Sequence, residues 1–240
     1  TLNTIMAETL KNFKTDVDSL IDKGEKKEIA ILHIIQKNIL ESKNVLFEGD
    51  GYSMEWHHEA ERRGLPNVPT TPLALDAMIT EKAMKLFDDN NVYKPIELLA
   101  RHEIELENYI KKIQIEGRVM GDLAINQILP LAVKYQKTVV DNIKGLKEIG
   151  LPETAWSSQL KIVESLSSHI ETVYATVFEM IQKRKEVNQI HNSRTKAIAY
   201  CSQVKEAYFE TIRYHIDKLE LLVDDAHWRL PKYREMLFIR

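Results

Sequence analysis

The sequence predicts an all-α chain, with several shorter helices followed by a bundle of long antiparallel helices and a C-terminal tail docked on that bundle. Three observations carry this. Gly (8) and Pro (7) are scarce over 240 residues, so long stretches run without a breaker. Apolar residues recur at spacings of three and four along most of the chain. The residues between breakers are mostly Leu, Ile, Lys, Glu, Ala and Gln, a composition that favours helix.

Residues 1–22 read as a first helix, with Leu2, Ile5, Met6, Thr9, Leu10, Phe13, Val17 and Leu20 at helical spacing and Gly24 as its breaker. A second helix is expected from Lys26 to Ser42, with Ile29, Leu32, His33, Ile35, Ile39 and Leu40 as its apolar or semi-apolar positions. Val45-Leu46-Phe47 reads as a short extended piece, followed by a turn at Gly49-Asp50-Gly51. Ser53 is the expected N-cap of a short helix ending before Gly64. Pro66 and Pro69 hold the next loop extended, and Thr71-Pro72 marks a helix start. Thr80 opens a further short helix with Ala83, Met84, Leu86 and Phe87 inside.

From Pro95 the pattern lengthens. Leu99, Leu106, Ile113 and Met120 lie seven apart, and Ile96, His102 or Glu103, Ile110, Gly117 and Ala124 fill the alternate positions. This helix is expected to continue through Leu131, Tyr135, Val139, Ile143 and Leu146, kinked at Pro130 and ended by Gly150 and Pro152. A second long helix carries Leu160, Val163, Ser167, Ile170, Tyr174, Val177, Ile181, Arg184 and Val187 inward. A third does so with Ala197, Tyr200, Val204, Tyr208, Thr211, His215, Leu219 and Leu222, after a polar turn at His191–Arg194. Spacing sustained over such lengths predicts antiparallel helices crossing at shallow angles. The apolar tail from Ala226 is expected to dock through Trp228, Tyr233, Leu237 and Phe238. The change of pattern near residues 95–115 is the one domain boundary the sequence offers.

The formal net charge of −3 provides no field to gather nucleic acid or an anionic membrane, and the basic run Lys183-Arg184-Lys185 is flanked by acids. No apolar run approaches the roughly 20 residues of a membrane span, and no signal peptide is visible. The single cysteine, Cys201, allows no internal disulfide, which favours the cytoplasm; on an inner helical position it reads as a buried, inert thiol. The first residue is Thr1 and a helical pattern follows at once, so the chain reads as a piece of a longer protein.

A search for chemistry returns nothing complete. A carboxylate-bridged metal pair in a helical bundle needs Glu-x-x-His twice, and only Glu55-x-x-His58 has that form. His58-Glu59 and His102-Glu103 lack the second histidine of a zinc-protease helix. No Gly-x-x-x-x-Gly-Lys phosphate loop occurs, Gly49-Asp50-Gly51 is too short for a dinucleotide fingerprint, and Asp16-x-Asp18 lacks the glycine of a calcium loop. Glu103 and Glu107 share a face on which Lys111 provides an ion-pair partner. The residues therefore leave two readings open: a helical interaction or scaffold protein, or a helical part of an enzyme whose active site lies elsewhere.

Three stretches favour the second. Phe47-Glu48-Gly49-Asp50-Gly51-Tyr52-Ser53-Met54-Glu55-Trp56 continues through Glu59-Ala60-Glu61-Arg62-Arg63-Gly64-Leu65-Pro66-Asn67 to Thr70-Thr71-Pro72. Tyr109 to Pro130 contains Lys112-Ile113-Gln114-Ile115-Glu116 and Ile128-Leu129-Pro130. The tail runs from Val223-Asp224-Asp225 to Trp228 and then Leu230-Pro231-Lys232-Tyr233-Arg234-Glu235-Met236-Leu237-Phe238. Together they closely resemble the C-terminal part of type III glutamine synthetases, the long bacterial form, over essentially the whole chain. Gly51 and Arg229 depart from the family pattern, which often has Asn and Pro there. The regulatory Asn-Leu-Tyr loop of the shorter type I enzymes is absent, so Tyr52 carries no such role.

The resemblance implies a parent enzyme that ligates ammonia to glutamate using ATP and Mg²⁺ or Mn²⁺, through a γ-glutamyl phosphate, in two stacked rings of six subunits. It places the metal-binding acids, nucleotide contacts and substrate-binding arginines before Thr1. It therefore assigns this segment no catalytic, cofactor-binding or metal-binding residue, and makes the rest of the subunit and neighbouring subunits its partners, with no nucleic acid and no membrane. Residues 1–115 are then the helices that close the catalytic domain and residues 116–240 a family-specific helical extension.

Overall fold

The structure, a computed structural model, describes residues 1–237 apart from the side chains of Tyr233 and Arg234. Helix makes up 80% of the chain and no strand occurs among the described residues, so the fold is all-α. Two compact units form, Thr1–Glu105 and Leu106–Arg240.

The first unit opens with a helical hairpin, α1 (Leu2–Asp22) and α2 (Lys27–Glu41). Gly24 turns the chain between them at φ 97°, a left-handed conformation that any side chain would strain. The hairpin closes over Val17, Ala30 and Ile34, with Phe13, Leu20, Ile21 and Ile31 packed against them. Its core is therefore narrower than the sequence pattern suggests. Leu2, Ile5, Met6 and Leu10 of α1 and Ile29, Leu32, Ile35, Ile39 and Leu40 of α2 are all exposed.

After α2 the chain tightens into a 3₁₀ turn over Lys43–Val45, not the extended piece expected at Val45–Phe47. Only from Leu46 is the backbone extended, and no neighbouring strand is present to pair with it among the described residues. Ser53 caps α3 (Met54–Arg62) by accepting from the Trp56 amide at 3.2 Å. The cap of α4 (Thr71–Leu75) is Thr70, one residue before the expected start, with Pro72 in the first turn where its missing N–H costs nothing. Thr80 caps α5 (Glu81–Asp89) by accepting from the Ala83 amide at 3.2 Å, and Phe87 is the residue α5 buries.

Helix α6 (Pro95–Leu123) starts in the first unit and enters the second. Its inner stripe is Leu98, His102, Leu106, Ile110 and Ile113; the expected Ile96 and Leu99 are exposed. The seven-residue frame fails at its N-terminal end because a straight α-helix repeats at 3.6 residues per turn and drifts from it.

The second unit is an up-down-up arrangement of three long helical stretches. The first continues α6 through a π-turn at Ala124–Ile128 into α7 (Leu129–Glu148). In that turn the Leu129 amide reaches back to the Ala124 carbonyl. The widened turn accommodates Pro130, which has no N–H to donate, and the helix continues for 54 residues in all. Gly150, at φ 79°, ends it.

Helix α8 (Ser157–Asn188) returns antiparallel. Polar pairs fix the direction: Gln114 meets Asn188 at 2.7 Å, Gln136 meets Ser167 at 2.6 Å and Asn142 meets Gln159 at 2.6 Å. Leu166, Val173, Met180 and Val187 of α8 are fully buried or nearly so, and Tyr174 turns outward to stack on Phe178 at 4.6 Å. Gly121 of α6 sits against Val177 and Met180, where a Cβ would already be in van der Waals contact.

Asn192 caps α9 (Ser193–Ala199), which runs through a π segment at Tyr200–Phe209 into α10 (Glu210–Leu222). Ala197, Tyr200, Val204 and Leu219 are buried as the period predicts. At the next turn Ile212 is buried and the expected Thr211 is exposed. Each π turn takes up extra residues, which shifts the inward face along the sequence.

The tail docks on this unit through its first half. The His227 ring lies 6.1 Å from that of Tyr135, Trp228 is half-buried, and Lys232 Nζ donates to the Glu220 carbonyl at 3.3 Å. Leu237, expected to anchor it, is 59% exposed, beyond the short helix α11 (Tyr233–Met236). The Tyr233 side chain and Phe238 lie outside the described residues. Deleting residues 226–240 is expected to lower the melting temperature by several degrees, since half-burying an indole contributes about 1–2 kcal/mol. Trp228→Ala should reproduce most of that loss and Leu237→Ala almost none, as read by differential scanning calorimetry.

Candidate functional site

The motif-bearing stretch from Phe47 to Pro72 folds into a compact local structure. Asp50 holds the turn, its carboxylate accepting from the Tyr52 amide at 2.9 Å and its carbonyl from the Ser53 hydroxyl at 2.7 Å. That turn sets the start of α3. Trp56 then stacks on Phe47 at 4.5 Å, and the Arg63 guanidinium lies 5.7 Å from the Trp56 ring. Arg63 also donates to the Leu46 and Asn44 carbonyls and to Glu59, while Arg62 takes the other Glu59 oxygen at 2.7 Å through Nε. The helical spacing of Glu59, Arg62 and Arg63 makes this clamp possible, and it ties α3 back to the segment leaving α2. The sequence displayed that spacing without revealing that Arg63 would reach backbone carbonyls 17 and 19 residues earlier.

Hydrogen bonds from Arg62 and Arg63 hold the Glu59 carboxyl down to about 2, from an ordinary value of 4.5. A carboxyl lowered on folding adds stability that is complete above its unfolded value and is lost as pH falls through its folded one. Acidification from about 4.5 toward 2 is therefore expected to open the clamp, seen as a red shift of Trp56 fluorescence in a Trp156→Phe/Trp228→Phe background. Glu59→Gln should show the shifted emission already at neutral pH.

The histidines of the half-motif do not converge on a metal geometry. Glu55 and His58 are exposed, and His57 Nδ1 is hydrogen-bonded to the Asn67 amide at 3.0 Å. Among the described residues, no three His, Cys, Asp or Glu side chains gather closely enough to hold a metal ion. The donor set therefore does not fit the divalent metals that a glutamine synthetase parent implies, and no reaction step can be built on it here. His102 is buried at 6% exposure with Nε2 3.2 Å from Asp76 Oδ1, which ties α6 to the 3₁₀ turn at Asp76–Ile79.

A cavity of about 830 Å³ lies between α1 and α5, with Ile5, Leu86, Phe87 and Leu98 among its walls. Several of its charged residues are engaged: Glu8 accepts from Asn90 at 2.8 Å, Lys85 pairs with Asp89 at 2.7 Å, and Arg101 lies over Tyr93 at 4.4 Å. The cavity is a largely apolar recess between α1, α5 and the start of α6, with the character of a packing surface.

In the second unit, Cys201 is buried, its thiol pushed up chiefly by burial and donating to Glu206 at 3.5 Å. Lys111 pairs with Glu107 at 3.5 Å. No helix among the described residues is long and apolar enough to cross a membrane.

A family model described as the glutamine synthetase C-terminal domain matches residues 30–147. A glutamine synthetase of Bacteroides fragilis is 41% identical over 242 residues, covering 100% of this chain and 33% of that protein. Over its whole length the chain is similar to glutamine synthetases, and residues 30–147 match the model of their C-terminal domain. A type-3 glutamine synthetase of Dictyostelium discoideum is 33% identical over 246 residues, again 100% of this chain and 33% of the relative. A glutamine synthetase of Butyrivibrio fibrisolvens is 28% identical over 215 residues, 90% of this chain and 30% of the relative. The chain thus spans about a third of the length of the curated relatives it matches.

Proposed function

We propose that this chain is the structural C-terminal segment of a glutamine synthetase, the ATP-dependent ligase that joins ammonia to glutamate, and that it carries no catalytic, nucleotide-binding or metal-binding residue itself. The observation that carries the reading is full-length similarity to one third of two glutamine synthetases. ATP and Mg²⁺ or Mn²⁺ belong, on this reading, to the preceding two thirds of a cytoplasmic subunit.

The exposed apolar faces of α1 and α2 support it. Leu2, Met6 and Leu10, with Leu32, Ile39 and Leu40, leave large apolar side chains uncovered on both helices of one hairpin, and apolar surface left uncovered in this way suits contact with another part of a protein. The catalytic region of the same subunit covers that hairpin. On this division residues 1–115 close the catalytic domain, and residues 116–240 form an extension that stiffens the subunit and contributes to its packing in stacked six-membered rings.

The experiment is reconstitution in trans. The catalytic region of the parent is expressed alone and with the 240-residue chain, and γ-glutamyl transfer is measured with Mn²⁺. Co-purification with activity restored at least tenfold is expected. Recovery of only unrelated proteins from host extract, with no binding to the catalytic region, would favour the free-standing scaffold.

A further inference from the structure

Two histidines in the second unit meet in an arrangement that its helical packing does not require. His169 of α8 and His215 of α10 face each other with Nδ1 to Nδ1 at 2.8 Å, ring centroids 5.0 Å apart and planes inclined at 59°. Both are part-buried. Tyr214 packs edge-on against His215 at 5.2 Å and 84°. Lys218 lies over the Tyr214 ring at 5.2 Å, and its charge reaches His169.

Two imidazole nitrogens at this distance share one proton: one ring donates Nδ1–H and the other accepts. A first added proton can sit on an outer nitrogen and leave the shared bond intact. A second cannot, because both Nδ1 atoms would then carry hydrogens pointing at each other between two cationic rings. Among the described residues neither ring is shown paired with a carboxylate. Among the described residues, the histidines paired with acids are His33 with Glu25 and His102 with Asp76. From α10 the neighbouring titratable groups are Tyr214, His215 and the like-charged Lys218. From α7, the uncharged amide of Gln136 is bonded to Ser167, two residues before His169.

We propose that His169 and His215 form a proton-sensitive latch that holds α10 on α8 near neutral pH and releases it when both rings are protonated. The inference rests on these two helices alone and stands whether or not the chain works inside a glutamine synthetase. Burial, His215 and Lys218 all disfavour the charged form of His169. For a histidine shifted in this sense, folded-state stability is complete above the ordinary value of about 6.5 and declines as pH falls below it. The release window therefore opens below about pH 6.5, well above the acid range in which the Glu59 clamp fails.

The test uses the full 240-residue chain. Amide hydrogen exchange, corrected for the intrinsic effect of pH, is compared at pH 7.5 and 5.0. Protection across residues 210–222 is expected to fall at least tenfold relative to residues 129–148, and the His169→Phe/His215→Leu double variant should abolish that difference. Equal protection at the two pH values, or the same fall in the double variant, would overturn the latch. If the double variant does not fold, histidine NMR of the unaltered chain decides. A hydrogen bond shared between the two Nδ1 atoms at pH 7.5, with one ring held as the Nδ1–H tautomer, and its loss at pH 5.0 are expected; no shared hydrogen at pH 7.5, or one that persists unchanged at pH 5.0, would refute it.

Discussion

Tyr200→Ala is expected to unfold much of the second unit's stability, lowering the melting temperature by roughly 6–20 °C, on the usual cost of about 3–5 kcal/mol for truncating a buried aromatic. Tyr200 is fully buried at the start of the π segment. Its hydroxyl accepts from Gln114 at 2.9 Å and lies 3.3 Å from Asn188 Oδ1 and 3.4 Å from the Arg184 carbonyl, so one side chain joins all three long helical stretches. Removal leaves both a cavity and an interior amide that has lost a partner. Tyr200→Phe separates the two effects: it keeps the ring and loses only the hydroxyl, at a cost of about 1–3 kcal/mol. If the two variants melt together, the network and not the packing dominates; if Tyr200→Phe melts with the unaltered chain, the hydroxyl contributes nothing.

The second large effect is on assembly. Leu10→Asp with Ile39→Asp changes two exposed positions, at 61% and 56% exposure, outside the Val17–Ala30–Ile34 core. The isolated chain should melt within about a degree of the unaltered one, because substitutions at exposed sites usually stay within ±0.5 kcal/mol. Reconstitution with the catalytic region should nevertheless be lost, since carboxylates would be buried unpaired against its surface. A second pair, Lys14→Gln with Lys37→Gln, lowers the net charge by the same two units and controls for charge. Loss of activity in both pairs would mean that charge, not the apolar face, was at issue.

Most of the architecture was legible because helices announce themselves through period and breakers. Ser53 and Thr80 as caps, Gly24 and Gly150 as ends, and the three long stretches all follow from local chemistry that tertiary packing does not alter. Register was less legible. Leu98 replaced Leu99 because the helix follows 3.6 and not 3.5 residues per turn, and Ile212 replaced Thr211 because a π segment intervenes. A wide turn has no sequence signature comparable to that of a cap. The hairpin faces misled for another reason: periodicity identifies an apolar stripe but not the molecule that covers it. Arg63's reach to Leu46 and the meeting of His169 with His215 depend on tertiary placement, which pairwise spacing along one helix does not encode.

The most direct measurement is γ-glutamyl transfer by the purified 240-residue chain with Mn²⁺, together with calorimetry against ATP and Mg²⁺. Phosphoryl transfer needs acids that hold divalent metal and cations aimed at the phosphate oxygens. A structural segment is expected to show turnover at background and no heat of ATP binding up to millimolar concentration, while still melting cooperatively. Turnover above background, or micromolar ATP binding abolished by Glu55→Gln or Asp76→Asn, would place active-site chemistry within these residues and contradict the structural role.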